Sequence, residues 1–283
     1  MTEKLRPTED IGDLPRIMRA ELDHARIALD RAARYPLHGV HEARKRLKKI
    51  RTSARLLRKA DKTASRRINA AGRRAARILE TARDADSLEQ ITRAVAMTCE
   101  DAEHIAVLRE EARRARQDSQ RVDRPVAVDQ ARAALDRLQE EIDAFRFEGE
   151  PGPALAKGLA RTWRRAVRAR DAARDNPDGF RLHTLRKRVK DWRYQVVALK
   201  RVWPGGVKRR KKKAKRLAKR LGERHDLSRL IARLDDRAGP DLAATIDAID
   251  TRREALAGEV FDLADRVFPS SAKAAKKRLK AAV

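Results

Sequence analysis

VHEARKRLKKIRT at residues 40–52 and LHTLRKRVKDWRY at residues 182–194 carry one pattern twice. With His41 set against His183, the residues Arg44, Lys45, Arg46, Lys48 and Arg51 fall on Arg186, Lys187, Arg188, Lys190 and Arg193. The offset is a constant 142 residues, and seven of the nineteen positions from 41 to 59 are identical. Carried on without a gap, it sets Leu79 on Leu221, Asp84 on Asp226 and Leu88 on Leu230. Abundant Arg and Lys inflate chance matches among basic residues, but they do not make a His and an Asp coincide. The chain therefore reads as an internal duplication.

At 100° per residue, Val40, Ala43, Leu47, Ile50, Ala54 and Leu57 form one apolar stripe, and Leu182, Leu185, Val189, Trp192, Val196 and Leu199 form another. Opposite the first lie His41, Arg44, Lys45, Lys48, Arg51, Arg55 and Lys59; opposite the second lie His183, Arg186, Lys187, Lys190, Arg193 and Arg201. A solvated helix face normally mixes signs, because like charges at i and i+4 cost a few tenths of a kcal/mol per pair. Glu42 and Asp191 are off the centres of these faces, so each is nearly free of acid. Such a face implies a polyanion. The helices that follow add Arg66, Arg73 and Arg77 in the first copy and Lys208, Lys215 and Lys219 at equivalent positions in the second, with Lys212 beside them.

Composition agrees. Of 283 residues, 70 are Lys or Arg against 42 Asp or Glu, a formal charge of +28. Charged residues make up 40% and aromatics 4%, a profile of good helix formers with few strand formers. An excess of this size opposes compaction through self-repulsion and suits a polyanionic partner. Cys99 is the single cysteine, which removes an internal disulfide and fits a reducing compartment. No apolar leader and no stretch approaching eighteen apolar residues occurs, so a cytoplasmic chain without a membrane span is expected.

Pro and Gly punctuate helical periodicity throughout. Expected helices cover 14–34, 37–59, 62–80, further sequence to about 120, 126–147, 154–175, 180–203 and 207–221, then shorter pieces and a last long helix to about 267. EGEPGP at 148–153 is the clearest hinge. The expected organisation is all-α, with two pseudo-symmetric helical-bundle repeats at 12–122 and 154–268. A connecting helix and hinge at 123–153 joins them, and a basic tail covers 269–283. If the duplicated faces oppose one another, they form a basic central groove or channel.

Arg forks bind phosphate oxygens bidentately and Lys adds compact charge, so phosphate is the favoured anion. Several helical turns of cations suit a linear phosphate chain. Single-strand nucleic-acid readers add stacking aromatics, which are scarce here; a double-helix binder needs none. Catalytic signatures are thin, with no Gly-rich phosphate loop and no G-x-S-x-G elbow. Asp84, Asp86 and Asp226 could hold Mg²⁺, but N-capping or pairing with Arg83 and Arg224 is the plainer role. His38 with His41, and Cys99 with His104, lack further ligands nearby.

The doubled His-x-x-Arg-Lys-Arg-x-x-Lys-x-x-Arg pattern, followed each time by Leu-x-x-x-x-Asp, resembles the CHAD family, the conserved histidine α-helical domain. The resemblance covers roughly residues 12–268. It implies two four-helix units around a basic channel that binds inorganic polyphosphate, and association with polyphosphate granules and their proteins. It also implies that His41, Arg44, Lys45, Lys48 and Arg51, with His183, Arg186, Lys187, Lys190 and Arg193, form the binding face. Glu80 departs from the pattern where copy two has Gly222, a family turn residue. No ExExK run occurs, so the triphosphate-tunnel domain of many relatives is not expected. The reading is a non-enzymatic polyphosphate binder without a cofactor. The alternatives are a nucleic-acid-associated protein or a metal-dependent polyphosphate- or triphosphate-processing enzyme.

Overall fold

The apolar stripes need partners, and among the described residues ten helices supply them. The structure, a computed structural model, describes residues 13–146, 151–199, 207–237 and 240–268, with no strand among them. The helices are α1 (Leu14–Ala32), α2 (Pro36–Leu57), α3 (Lys62–Ile78), α4 (Glu80–Ala96), α5 (Ala102–Gln120), α6 (Arg124–Asp143), α7 (Pro151–Asp175), α8 (Gly179–Ala198), α9 (Val207–Asp235) and α10 (Pro240–Val267). Pro at the first turn costs no intrahelical bond, and it opens α1, α2 and α6. Four aspartates cap free N–H groups: Asp61 accepts from Ala64, Asp101 from Glu103 and His104, Asp123 from Val126, and Asp178 from Arg181.

Three rings of helices result. In the first, α1 packs on α2, α2 on α3, α3 on α6 and α6 on α1. In the second, α7, α8, α9 and α10 close in the same sequence. Both share one continuous apolar core, because α2 also packs on α7 and α8. The third ring joins α4 and α5 to parts of α9 and α10 around Ile91, Leu108, Leu230, Leu234 and Ile249. Trp163, Trp192 and Phe268 meet edge to face in the second ring, with Trp163 centred 5.0 Å from each of the others. Every residue of the two expected stripes is buried.

Two expectations change. The region expected as a helix to 221 with shorter pieces beyond is one helix, α9, running through Gly222 to Asp235. A lone glycine costs a helix about 1 kcal/mol, and buried Leu217, Leu221, Leu227 and Leu230 on either side hold it in line. The interruption falls in copy one, at Leu79 (φ −85°, ψ 8°) between α3 and α4. The helix read as a connector, α6, is the fourth member of the first ring, buried through Val128, Ala131, Leu135, Leu138 and Ile142. Of the expected hinge 148–153, residues 151–153 instead open α7, while 148–150, the break at 204–206 and the tail 269–283 lie outside the described residues.

Candidate anion-binding surface

The two motif helices touch. At the crossing, Gln195 Nε2 donates to the Thr52 carbonyl (3.1 Å) and Thr52 Oγ1 donates to Asp191 (3.4 Å). Asp191 also accepts from Arg55 and, at 3.1 Å, from Arg188. In copy one the residue matching Arg188 is Arg46, which donates to buried Glu21 on α1 at 3.0 Å. Lys49 holds the same carboxylate at 2.9 and 3.0 Å. The repeated Arg of each motif is thus anchored by a buried acid, and the faces on either side of it turn outward.

Next to the crossing the cations of both helices crowd together. Burial, then the charges of Arg186 and Lys48, pushes the Lys190 ammonium down to about 7. His183 is pushed down to about 4 by burial and by Lys187, Arg186, Lys190 and Lys48. Its ring lies against His225 of α9, 4.7 Å between centroids, and His225 is pushed down to about 3 by burial, Arg186 and His183. On the α3 side, burial and then Arg55, Arg73 and Arg44 bring Arg51 down to about 10. Lys48 of α2 therefore shares its field with Lys190 and His183 of α8, 142 and 135 residues away in sequence. Such crowding disfavours the charged forms unless an anion enters.

The other expected site residues divide by environment. Arg44 donates to the Ala76 carbonyl at the end of α3 and lies 3.5 Å from Glu80. Lys45 pairs with Glu42 at 2.7 Å. His41, Lys48 and Lys187 are exposed, as are Arg66, Arg73 and Arg77 on α3 and Lys212, Lys215 and Lys219 on α9. Lys219 lies 3.6 Å from Glu223. Arg201 and the Lys208 side chain lie outside the described residues. The motif histidines differ, His183 being half-buried and His41 exposed.

A second group, apart from Lys59, was missed from sequence. Arg58, Lys59, Lys62, Arg161, Arg164, Arg165 and Arg168 line a cleft of about 720 Å³ between α7 and the turn from α2 into α3. Arg58, Arg161 and Arg165 also wall a narrower space of about 200 Å³ beside Arg55, Arg73 and Arg188. Asn69 and Arg73 lead on to a third space of about 310 Å³ with Arg74 and Arg77. No carboxylate lines any of the three. The signal was present in RTWRRAVR at 161–168, whose arginines recur at i, i+3, i+4 and i+7 on one helical face. It was passed over because the duplication does not repeat it: the matching positions hold Arg19, Leu22, Asp23 and Arg26.

The acids have structural partners. Asp86 is buried and accepts from Ser119 and Arg124 at 2.6 Å each. Arg224 pairs with Glu254 (3.4 Å) rather than with a motif aspartate. Asp84 accepts from Arg229 through its backbone carbonyl at 3.3 Å. Cys99 and His104 are both half-buried, each near Asp101. Among the described residues no three His, Cys, Asp or Glu side chains gather in a metal-holding group, and no helix is long and apolar enough to cross a membrane.

The fold and this surface define an all-α protein in which two copies of one basic motif meet on packed helices. The chain belongs to the CHAD domain family, whose pattern matches residues 16–235. Its fold is similar to the crystal structure of the CHAD domain from the plant Ricinus communis (TM-score 0.60, 16% identity), over 99% of this chain and 95% of that one. No curated protein matches the chain.

Proposed function

We propose that the protein binds inorganic polyphosphate as a non-enzymatic module that stores or localises the polymer, including at polyphosphate granules. The observation that carries this is the convergence of Lys48 with Lys190, beside the imidazole of His183, which brings ammonium groups from both motif copies into one field beside the α2–α8 crossing. A single phosphate ester would neutralise only part of such a field, whereas a linear chain delivers a charge at every unit. Family membership and the net charge of +28 support the same partner.

The test is a competition titration of long-chain polyphosphate against duplex DNA and single-stranded RNA at physiological salt. Polyphosphate is expected to win and to lose affinity steeply with salt as counterions are released. Triphosphate binding as tightly as a long chain would refute an extended site. Incubation with Mg²⁺ and polyphosphate is expected to give no hydrolysis. Turnover abolished by Asp226→Ala with binding intact would place the protein among enzymes instead.

A further inference from the structure

The arginine cleft beside α7 differs from everything the repeat predicts. Among the described residues, no carboxylate lines the cleft that holds Arg161, Arg164, Arg165 and Arg168. At the matching place in the other half, α1 carries Arg19 and Arg26, and α6 neutralises both: Arg19 pairs with Asp143 at 2.5 Å and Arg26 with Asp136 at 2.9 Å. The trough is therefore built on one flank, with Asp191 holding Arg55 and Arg188 at its waist. It runs the length of α3, about 22 Å at 1.5 Å per residue, from Lys62 to Arg77. Beside Arg73 it meets Arg51 and so joins the motif face.

We propose that this trough is a one-sided extension track, through which a polyphosphate chain held at the motif helices leaves the protein along α3 into the α7 cleft. The inference rests on the polyphosphate reading above and adds to it a direction and a second set of ligands. Three features favour a bare phosphate chain. Guanidinium forks facing one another across a cleft suit oxygens on both sides of a chain. The waist of about 200 Å³ is smaller than the roughly 300 Å³ at which ligand pockets begin, so base-bearing units fit it poorly. No aromatic ring lines the track to stack a base. The crowding also disfavours the empty state: Arg165 is brought down to about 10 by partial loss of hydration and by Arg188, Arg161 and Arg55.

The test is binding of length-fractionated polyphosphate, short and long, at fixed ionic strength. Arg161→Ala/Arg165→Ala and, independently, Arg164→Ala/Arg168→Ala are compared with Lys48→Ala/Lys190→Ala on the motif face and with Arg116→Ala/Arg121→Ala, an exposed pair on α5 and just past its end. Each α7 pair is expected to weaken long chains about tenfold, the loss of one hydrogen bond to a charged group, and short chains less than twofold. The motif pair should weaken both lengths, and the α5 pair neither beyond twofold. Thermal melting checks folding, and the second α7 pair decides the matter should the first unfold. Equal losses for short and long chains, losses no greater than in the α5 pair, or no loss would overturn the track while leaving the motif face standing. Loss of RNA binding with polyphosphate unaffected would overturn it in favour of a nucleic-acid surface. Failure of the wild type to bind long polyphosphate would sink the parent reading and the track together.

Discussion

Lys190 is an ammonium placed where ammonium groups are disfavoured, half-buried on α8 among Arg186, Lys48 and Arg193, with Asp226 opposing them. Its folded-state value near 7 lies below the ordinary 10.5, so the unfolded chain binds the proton more tightly between those values. The linkage sign follows: this residue lowers stability progressively as pH falls from 10.5 to 7, and adds nothing further below 7. His183 acts in the same direction lower down, costing stability as pH falls from 6.5 towards 4. An arriving polyanion reverses the preference and draws protons in. Calorimetry with long-chain polyphosphate at about pH 8, in buffers of different ionisation enthalpy, should therefore show proton uptake approaching one per site, and Lys190→Met should remove it. Uptake unchanged in that variant would mean that Lys190 does not face the polymer. The identity of Lys190 was legible in the repeat, but its burial was not. That comes from α2 and α9, which only the tertiary fold brings against it.

At the scale of helices, the stripes could be read directly, because period and burial are the same fact seen in sequence and in space. Breaks were harder, since Gly and Leu do not by themselves say whether neighbouring packing will hold a helix straight. Gly222 illustrates this. A Cβ there would meet the Arg186 guanidinium at 3.7 and 3.8 Å, ordinary contact distances. Gly222→Ala is therefore expected to stabilise the protein, by up to about 1 kcal/mol in chemical denaturation, by removing a helix-weakening glycine. A loss would show that Arg186 needs the space. Gly158 is the opposite case: a Cβ would lie 2.5 Å from the Leu56 carbonyl oxygen, which is backbone and cannot turn aside. Gly158→Ala should force α7 off α2, costing about 1–3 kcal/mol in thermal melting, as overpacking does. Because Gly158 precedes Arg161 by three residues and Leu56 precedes Arg58 by two, the shift should reach the arginine cleft, and long-chain binding should suffer more than short-chain binding.

Across the whole molecule, the two motif-bearing halves are joined twice, once at the α2–α8 crossing and again through the ring of α4 and α5 with α9 and α10. Sequence periodicity assigns each of these helices a buried face without saying which helix covers it, so this second join was invisible. Its polar centre is Glu111 on α5, fully buried, which accepts from Arg233 at 3.0 Å and also from Arg237. Asp118 supports Arg233 at 2.7 Å. Removing the carboxylate charge leaves two arginines facing a neutral amide, but both keep some access to water, so the full penalty for breaking a buried pair does not apply. Glu111→Gln is therefore expected to cost about 2 kcal/mol in denaturant unfolding, below the range for fully buried pairs. The loss should be local. Hydrogen exchange should quicken in α4, α5 and the C-terminal part of α9, while α2 and α8, held by the larger core and by the Asp191 network, keep their protection. Polyphosphate affinity at the motif face should then stay within about twofold of wild type, since no ligand proposed for the polymer touches Glu111. Exchange quickened uniformly over all ten helices would instead show one cooperative unit, in which the α4–α5 ring is a structural condition of the binding face rather than a separate clamp.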